Sequence, residues 1–290
     1  MMYSAYQMHS DMMEPIRAAA RASAAALHHW GVPEFMLRNV TAACELLART
    51  KLTHHRPAFG IDRVAFEGRE VAVTEAAAQT TPFATLLHFQ KDVAVAQPRV
   101  LLVAPLSGHF ATLLRDTVRT LLPEHDVYLT DWHNARDVSL DAGSFGIDDY
   151  VEHIVRFIET IGPGTHVIAV CQPCVAVLAA VALMAQAGNP AQPSSMTLMA
   201  GPIDTRVNPT RVNELATGQT LDWFERNLIS VVPRRYAGAG RRVYPGFLQL
   251  SAFMSMNLSR HVKAHIELFE NLARGEQEKA QAAINQKKSA

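Results

Sequence analysis

The chain has 290 residues, of which 49% are hydrophobic and 19% are charged, so it is long enough to bury one large core or two smaller ones. Its 27 basic residues balance its 27 acidic residues, and this zero net charge excludes a bulk electrostatic attraction to nucleic acid or to an anionic membrane surface. The composition therefore favours a globular protein whose partner is neutral or apolar.

Cysteine usage and the N-terminal sequence indicate a reducing compartment. Three cysteines, two of them three positions apart, do not make a disulfide framework, and the N-terminus has no basic leader followed by an apolar run. The apolar run 166–187 is interrupted by Gln172 and Pro173, so it does not predict a membrane span. We therefore expect a cytoplasmic protein without a membrane-spanning helix.

Residues 1–60 form a predicted helical N-terminal segment. Residues 11–30 are rich in alanine, and residues 33–50 carry apolar side chains at helical spacing. Five methionines lie among the first 13 residues, where they could form an adaptable apolar face or pack the helix against its own domain. From Arg63 the apolar pattern changes to that of strands.

Residues 61–205 form a predicted α/β core. Short apolar segments predict strands at 64–66, 70–73, 83–90, 99–104, 126–130, 166–170 and 195–199. From the fourth strand onward, helical segments of suitable length separate the strands, which predicts a mostly parallel sheet in a three-layer fold with right-handed crossovers. Residues 206–290 lose this alternation and predict a helical lid or cap followed by a polar tail.

Cys171 directly follows the buried strand 166–170 and precedes an apolar helix. In parallel α/β sheets, reactive groups collect at the carboxyl ends of strands, and helix N-terminal amides favour negative charge there. The frame AVCQP (169–173) is typical of a nucleophile elbow with cysteine in place of serine, although Pro173 departs from the G-x-S-x-G pattern. A buried thiol at a strand end is the alternative interpretation of Cys171.

Cys174 forms a C-x-x-C spacing with Cys171. This spacing is compatible with a redox pair or a zinc site, but no second pair and no histidine stands at ligand spacing nearby. We therefore expect Cys174 to be a packed thiol, and we expect no metal and no cofactor.

Five longer stretches, in a fixed order, resemble one family. They are APLSGHFATLLRDTV (104–118), TDWHNARDV (130–138), AVCQPC (169–174), MAGPIDTRVNPTRVN (199–213) and RRVYPGFLQLSAFMSMNLSRH (241–261). Together they resemble the intracellular poly(3-hydroxybutyrate) depolymerases, a polyhydroxyalkanoate-degrading family with a cysteine nucleophile. The resemblance runs from the N-terminus to about Arg274 and implies an α/β-hydrolase fold.

The resemblance also implies roles for residues around the elbow. Cys171 would be the attacking thiolate, and the backbone amides of Gln172 and of Leu106 or Ser107 would be the oxyanion donors. Asp131 lies at another predicted strand end, and we expect it to brace the neighbouring loops, because in this fold the catalytic acid follows the nucleophile in the chain.

The acid and the histidine of the family have no matching positions in this chain. In this fold they lie after two further strands, and nothing after Asp204 supplies those strands. We therefore expect a C-terminally shortened depolymerase-like protein in which Asp204, His261 and His265 are weak substitutes. The two histidines, four apart on one helix face, could equally be a surface or packing pair.

Three functions are compatible with these residues. The first is hydrolysis of poly(3-hydroxybutyrate) ester bonds through a cysteine acyl-enzyme, in the cytoplasm or at the surface of storage granules. The second is a catalytically inactive granule-binding protein, and the third is a polyhydroxyalkanoate synthase-like acyltransferase. For polymer binding we expect the methionine-rich N-terminus and an aromatic set including Phe247 and Phe253 to face the polymer. The sequence gives no indication of the oligomeric state.

Overall fold

A computed structural model describes residues 2–29, 34–49, 52, 54–255, 258–276 and 279–280. They divide into two compact units. The α/β unit runs from Arg56 to Val243, and the helical unit combines the residues up to His55 with those from Tyr244 onward. These boundaries differ from the expected ones after residues 60 and 205, because the N-terminal and C-terminal helices pack together.

Nine helices longer than one turn occur in the described chain. They are α1 (Met2–His29), α2 (Glu34–Ala48), α3 (Arg115–Leu121), α4 (Ile147–Ile161), α5 (Pro173–Gln186), α6 (Arg211–Gly218), α7 (Leu221–Asn227), α8 (Gly246–Ser255) and α9 (Leu258–Arg274). Short 3-10 turns cover Ala111–Leu114, Ala135–Asp137 and Leu140–Ala142. None of the described helices is long and apolar enough to cross a bilayer.

A seven-stranded sheet forms the centre of the α/β unit. Its strands are β1 (Arg63–Phe66), β2 (Arg69–Thr80), β3 (Ala84–Lys91), β4 (Arg99–Val103), β5 (Asp126–Trp132), β6 (His166–Val170) and β7 (Ser195–Met199). Their order is β1-β2-β3-β5-β4-β6-β7. Strands β5, β4, β6 and β7 pair in parallel, and β1, β2, β3 and β5 are joined by antiparallel pairs. Since β2 shares the direction of β4 to β7, the sheet is mostly parallel, as predicted.

Alternating side chains of β4 divide the core of this unit into two layers. Leu101 and Val103 pack in one cluster with α4 and α5, whose Phe157 and Val177 are fully buried. Leu102 packs on the opposite side of the sheet with α3, so helices cover both faces. This is the three-layer α/β arrangement expected of an α/β hydrolase.

The segment between β7 and the helical unit is anchored to the loop after β5. It contains α6, α7 and the short strands β8 (Ser230–Val231) and β9 (Arg242–Val243), which pair with each other and not with the central sheet. The buried Arg241 guanidinium donates to the carbonyls of Val138 (3.2 Å), Ser139 (2.5 Å) and Gly143 (2.6 Å). This clamp ties the end of the segment 206–243 to the rest of the α/β unit.

The helical unit is built from α1, α2, α8 and α9. Helix α2 packs on α1 and on α9, where Leu268 is buried against Leu46. Tyr6 of α1 stacks on Phe247 of α8 with 4.0 Å between ring centroids, and Phe247 is buried. The expectation of a polymer-facing Phe247 is therefore wrong, because its ring is a core contact of this unit. The side chain of Phe253 lies outside the described residues.

Two fully buried threonines provide a matched test of hydrogen bonding in the core. The Thr165 hydroxyl donates to the Gly162 carbonyl (2.6 Å), whereas the Thr112 hydroxyl has no protein partner in the described part of the chain. We expect Thr165→Val to lower the free energy of unfolding by about 1 kcal/mol, and Thr112→Val to leave it unchanged or raise it. Urea denaturation of both variants measures this, and equal losses in the two variants would contradict it.

Candidate active site

Cys171 occupies a strained turn between β6 and α5. Its φ angle is +70°, in the left-handed region that side chains other than glycine rarely adopt. Its side chain is exposed, and its N–H donates to the Met199 carbonyl at the end of β7 (2.8 Å). Helix α5 begins at Pro173. Proline is suited to this position, because the N–H of the first helical residue has no partner within the helix. The turn has the strand–turn–helix geometry of a nucleophile elbow, and Pro173 is compatible with it.

The chain that follows β7 packs tightly under this turn. A Cβ placed on Gly201 would lie 2.1 Å from the Cys174 Cβ and 3.1 Å from the Cys171 carbonyl oxygen. The preceding Ala200 is also left-handed, with φ of +52°. Gly201 therefore lacks a side chain for a packing reason, since any larger residue would displace the elbow.

The two cysteines of the elbow have opposite environments. Cys174 is fully buried, with its Sγ 3.4 Å from the Ala169 carbonyl oxygen and 3.6 Å from that of Met199. Burial raises the pKa of the Cys174 thiol, so the reactive thiolate form is disfavoured there. Cys174 is a packed thiol, as expected, and Cys171 is the exposed one.

The elbow lies at the point where the strand order of the sheet reverses. Strands β4 and β6 are neighbours in the sheet. From β4 the chain crosses over to β5 on one side of this pair, and from β6 it crosses over to β7 on the opposite side. In open α/β sheets, ligands bind at the carboxyl ends of the strands at such a switch point. The loop after β4, which carries Leu106 and Ser107, therefore meets the turn that carries Cys171.

The structure places the Leu106 backbone against the side chain of Gln172. The Leu106 N–H donates to the side-chain Oε1 of Gln172 (2.8 Å). The backbone N–H of Gln172 has no hydrogen-bond acceptor in the described part of the chain. The Ser107 side chain lies in the same loop, with its Oγ 3.1 Å from the His109 Nδ1. The backbone groups proposed to hold an oxyanion thus lie beside the elbow.

Side chains at the end of β5 brace this edge of the sheet. The Trp132 indole donates to the Ala104 carbonyl (2.9 Å), which ties β5 to the loop after β4. Asp131 contacts the Arg56 guanidinium (2.7 Å), which also binds Glu75 (2.5 Å). Burial raises the pKa of Asp131, while the Arg56 charge opposes that rise. These contacts support the expected bracing role of Asp131.

His133 is a residue that the sequence analysis did not single out. Its Nε2 lies 2.9 Å from the Thr85 hydroxyl, and its Nδ1 lies 3.0 Å from the Pro82 carbonyl oxygen. Because the carbonyl can only accept, Nδ1 carries the proton, and Nε2 accepts from the threonine hydroxyl in the neutral ring. Both nitrogens are engaged, which makes His133 a loop-fixing residue.

Asp204 and His265, two of the weak candidates for acid and base, belong to different units of the chain. Asp204 is exposed and binds Arg206 through two bonds of 2.8 Å, which hold the pKa of its carboxyl below the usual value. His265 belongs to α9 of the helical unit, where it lines an apolar pocket with Met254, Phe269 and others. The side chain of His261 lies outside the described residues. Asp204 is therefore paired with an arginine and not with a histidine.

No metal site is evident in the described chain. Within those residues, His, Cys, Asp and Glu side chains do not gather in groups of three or more that could hold an ion. The C-x-x-C of the elbow has one exposed and one buried member, and neither shares a cluster with another ligating side chain.

A comparison with protein-family models adds evidence about the C-terminal part. Residues 200–286 match the family model described as PHB de-polymerase C-terminus, where PHB is poly(3-hydroxybutyrate). The chain is similar to the PHB depolymerases. The predicted family resemblance is thereby confirmed for residues 200–286, and the match begins beside Gly201, which packs against Cys174. A search of the curated proteins found no match to the chain.

Similar solved structures include a naproxen esterase from Bacillus subtilis and an α/β hydrolase from the metagenome of Lake Arreo in Spain. The first shares 14% identity, covers 57% of this chain and 49% of its own, and has a TM-score of 0.32. The second shares 16% identity, covers 72% of this chain and 67% of its own, and has a TM-score of 0.36. The chain thus spans about half the length of the first. The fold assignment comes from the sheet topology and the covering helices.

The close packing of Gly201 predicts a large effect of one added methyl group. We expect Gly201→Ala to lower the free energy of unfolding by about 1–3 kcal/mol, because the new Cβ collides with Cys174 and the surrounding chain has to move. Gly218, at the end of α6, has no atom near its ideal Cβ, so Gly218→Ala is the control and should be neutral or slightly stabilising. Urea denaturation that ranks the two variants equally would contradict the packing argument.

The different environments of the two thiols predict selective alkylation. We expect brief iodoacetamide treatment near neutral pH to label Cys171 first, because Cys171 is exposed while burial both shields Cys174 and raises its pKa. Peptide mapping by mass spectrometry identifies the labelled residue, and Cys44, which is partly exposed, serves as an internal reference. Faster labelling of Cys174 or Cys44 would argue against a reactive elbow.

Proposed function

We propose that the protein is an ester hydrolase that cleaves poly(3-hydroxybutyrate) through an acyl-enzyme on Cys171. The observation that carries the proposal is the exposed thiol on a left-handed turn, at the switch point of the sheet, with the Leu106 and Gln172 amides beside it. The family match over residues 200–286 supports the choice of polymer. The zero net charge suits a neutral polyester in the cytoplasm or at a granule surface.

The first half of the proposed reaction transfers the acyl group to sulfur. The Cys171 thiolate attacks the ester carbonyl carbon, and the carbonyl oxygen becomes an oxyanion that accepts hydrogen bonds from the Gln172 and Leu106 N–H groups. When this intermediate collapses, the carbon–oxygen ester bond breaks and a thioester remains on Cys171. The proton lost by the thiol ends on the departing alkoxide, which leaves as a polymer chain with a free hydroxyl.

The second half requires a water molecule to attack the thioester. Water at neutral pH needs a general base, which typically contributes about 10²- to 10⁴-fold to such a step. Asp204 is held by Arg206, and His133 is held by Thr85 and Pro82, so neither side chain is available as that base. Deacylation of this chain is therefore proposed to be much slower than acylation.

A rapid-mixing experiment tests this proposal. We expect p-nitrophenyl butyrate to give a burst of about one p-nitrophenolate per chain, followed by slow turnover, because acylation needs only the thiol and the oxyanion donors. Cys171→Ala should abolish the burst, and Cys174→Ala is the control that should retain it if the variant folds. Steady turnover that is lost in His265→Ala or His261→Ala would contradict the proposed slow step and would assign the base to α9.

Incubation with amorphous poly(3-hydroxybutyrate) granules separates the alternatives. Depolymerisation predicts release of 3-hydroxybutyrate or its oligomers that depends on Cys171. Equal granule binding by the wild type and Cys171→Ala, with no release by either, would instead support an inactive granule-binding protein. Growth of the polymer when a hydroxyacyl thioester is supplied would support a synthase-like acyltransferase.

A further inference from the structure

We infer that the side chain of Gln172 covers the Leu106 oxyanion donor in the resting site and has to move aside before an ester carbonyl can bind there. Gln172 thereby acts twice: its backbone N–H is one proposed donor, and its side-chain amide oxygen holds the other. This inference rests on the proposed function, because it concerns acylation of Cys171. It makes the Gln172 side chain a positioning residue that tunes acylation.

The geometry of one hydrogen bond carries the inference. The Gln172 Oε1 lies 2.8 Å from the Leu106 backbone nitrogen, the separation expected for a substrate oxyanion and its donor. A single N–H group makes one strong, linear hydrogen bond, so Oε1 and a substrate oxygen compete for Leu106. An amide carbonyl oxygen is also chemically close to an ester carbonyl oxygen, which makes it a good internal substitute.

The surroundings of Gln172 allow this side chain to leave. Gln172 is exposed and Leu106 is partly exposed, so the amide can rotate into solvent without opening the core. Its backbone is fixed in helical geometry at the start of α5, so the movement concerns side-chain torsions alone. In the resting site the bond keeps the loop after β4 against the elbow and leaves the Leu106 N–H satisfied.

Competition for one donor has a measurable consequence. The Gln172–Leu106 bond has to break before a substrate carbonyl can bind to Leu106. The free energy lost is the net contribution of a typical hydrogen bond, which slows acylation between about twofold and tenfold. Gln172→Met keeps the length of the side chain and the backbone N–H but removes the acceptor. Gln172→Glu replaces the amide oxygen by a carboxylate, which binds an N–H more strongly and repels an oxyanion.

The experiment compares two reactions of the same thiol. The burst rate with p-nitrophenyl butyrate requires the oxyanion donors, whereas the rate of Cys171 alkylation by iodoacetamide does not. We expect the ratio of burst rate to alkylation rate to rise about two- to tenfold in Gln172→Met and to fall in Gln172→Glu. Gln219→Met, at an exposed position after α6, is the control for adding a methionine and should leave the ratio unchanged.

Amide hydrogen exchange provides a second readout that does not depend on catalysis. The Leu106 amide should exchange faster in Gln172→Met than in the wild type, because its acceptor is gone. A lower or unchanged ratio in Gln172→Met would overturn the inference and would indicate that the side chain merely supports the loop. Absence of any burst in the wild type, with Cys171 still alkylated, would overturn the proposed function itself and the inference with it.

Discussion

The left-handed backbone of Cys171 is the constraint on which the site depends. A residue with a side chain is disfavoured at a φ of +70°, so neighbouring contacts have to hold it there. The Met199 carbonyl accepts the Cys171 N–H, and Gly201 allows the chain after β7 to pack against Cys174. Strand β7 is therefore part of the elbow although it contributes no reacting group. The Cys171 thiol is exposed at this turn, whereas the Cys174 thiol three positions later is buried beneath it.

The order of the strands explains why Leu106, the second proposed oxyanion donor, comes from a part of the sequence distant from Cys171. Because β4 and β6 are adjacent and parallel, the loops at their carboxyl ends meet. Leu106 follows β4 and Gln172 follows β6, and their hydrogen bond joins the two loops. The indole of Trp132 adds a third strand end to this arrangement through the Ala104 carbonyl. The site is thus assembled from three strand ends.

Local composition was sufficient to predict the elements that position the elbow. The change from β-branched residues to alanine and leucine near Cys171 predicted β6 at 166–170, which agrees with the structure, and the helix after it. Local composition could not predict that the chain up to Val243 belongs to the α/β unit and the chain from Tyr244 onward to the helical unit. This division depends on the Arg241 side chain and three carbonyls about a hundred positions earlier, and no local pattern reports such a contact.

One wrong expectation and one contact that the sequence does not predict have related physical causes. Phe247 lies in a stretch rich in phenylalanine and methionine that suggests an exposed apolar surface, yet Tyr6 stacks on its ring from the opposite end of the chain. The sequence also presents Gln172 only as the residue after the proposed nucleophile, so it does not predict the contact of the Gln172 side chain with Leu106. In both cases the decisive partner is distant in sequence, and hydrophobic periodicity contains no information about it.

In the proposed reaction, formation of the acyl-enzyme and transfer of the acyl group to an acceptor are separate steps. A polyester offers carbonyl oxygens and no charge, so recognition by backbone N–H groups at a switch point suits it better than recognition by ion pairs. In the first step, the acyl group passes from the ester oxygen of the polymer to the Cys171 sulfur. This step is proposed to use only groups of the α/β unit. The second transfer depends on whether water or a hydroxyl reaches the thioester, and this is the difference between a depolymerase and a synthase-like enzyme. The acceptor that reaches the thioester therefore decides between the two activities, while an acyl-enzyme on the elbow cysteine is common to both proposals.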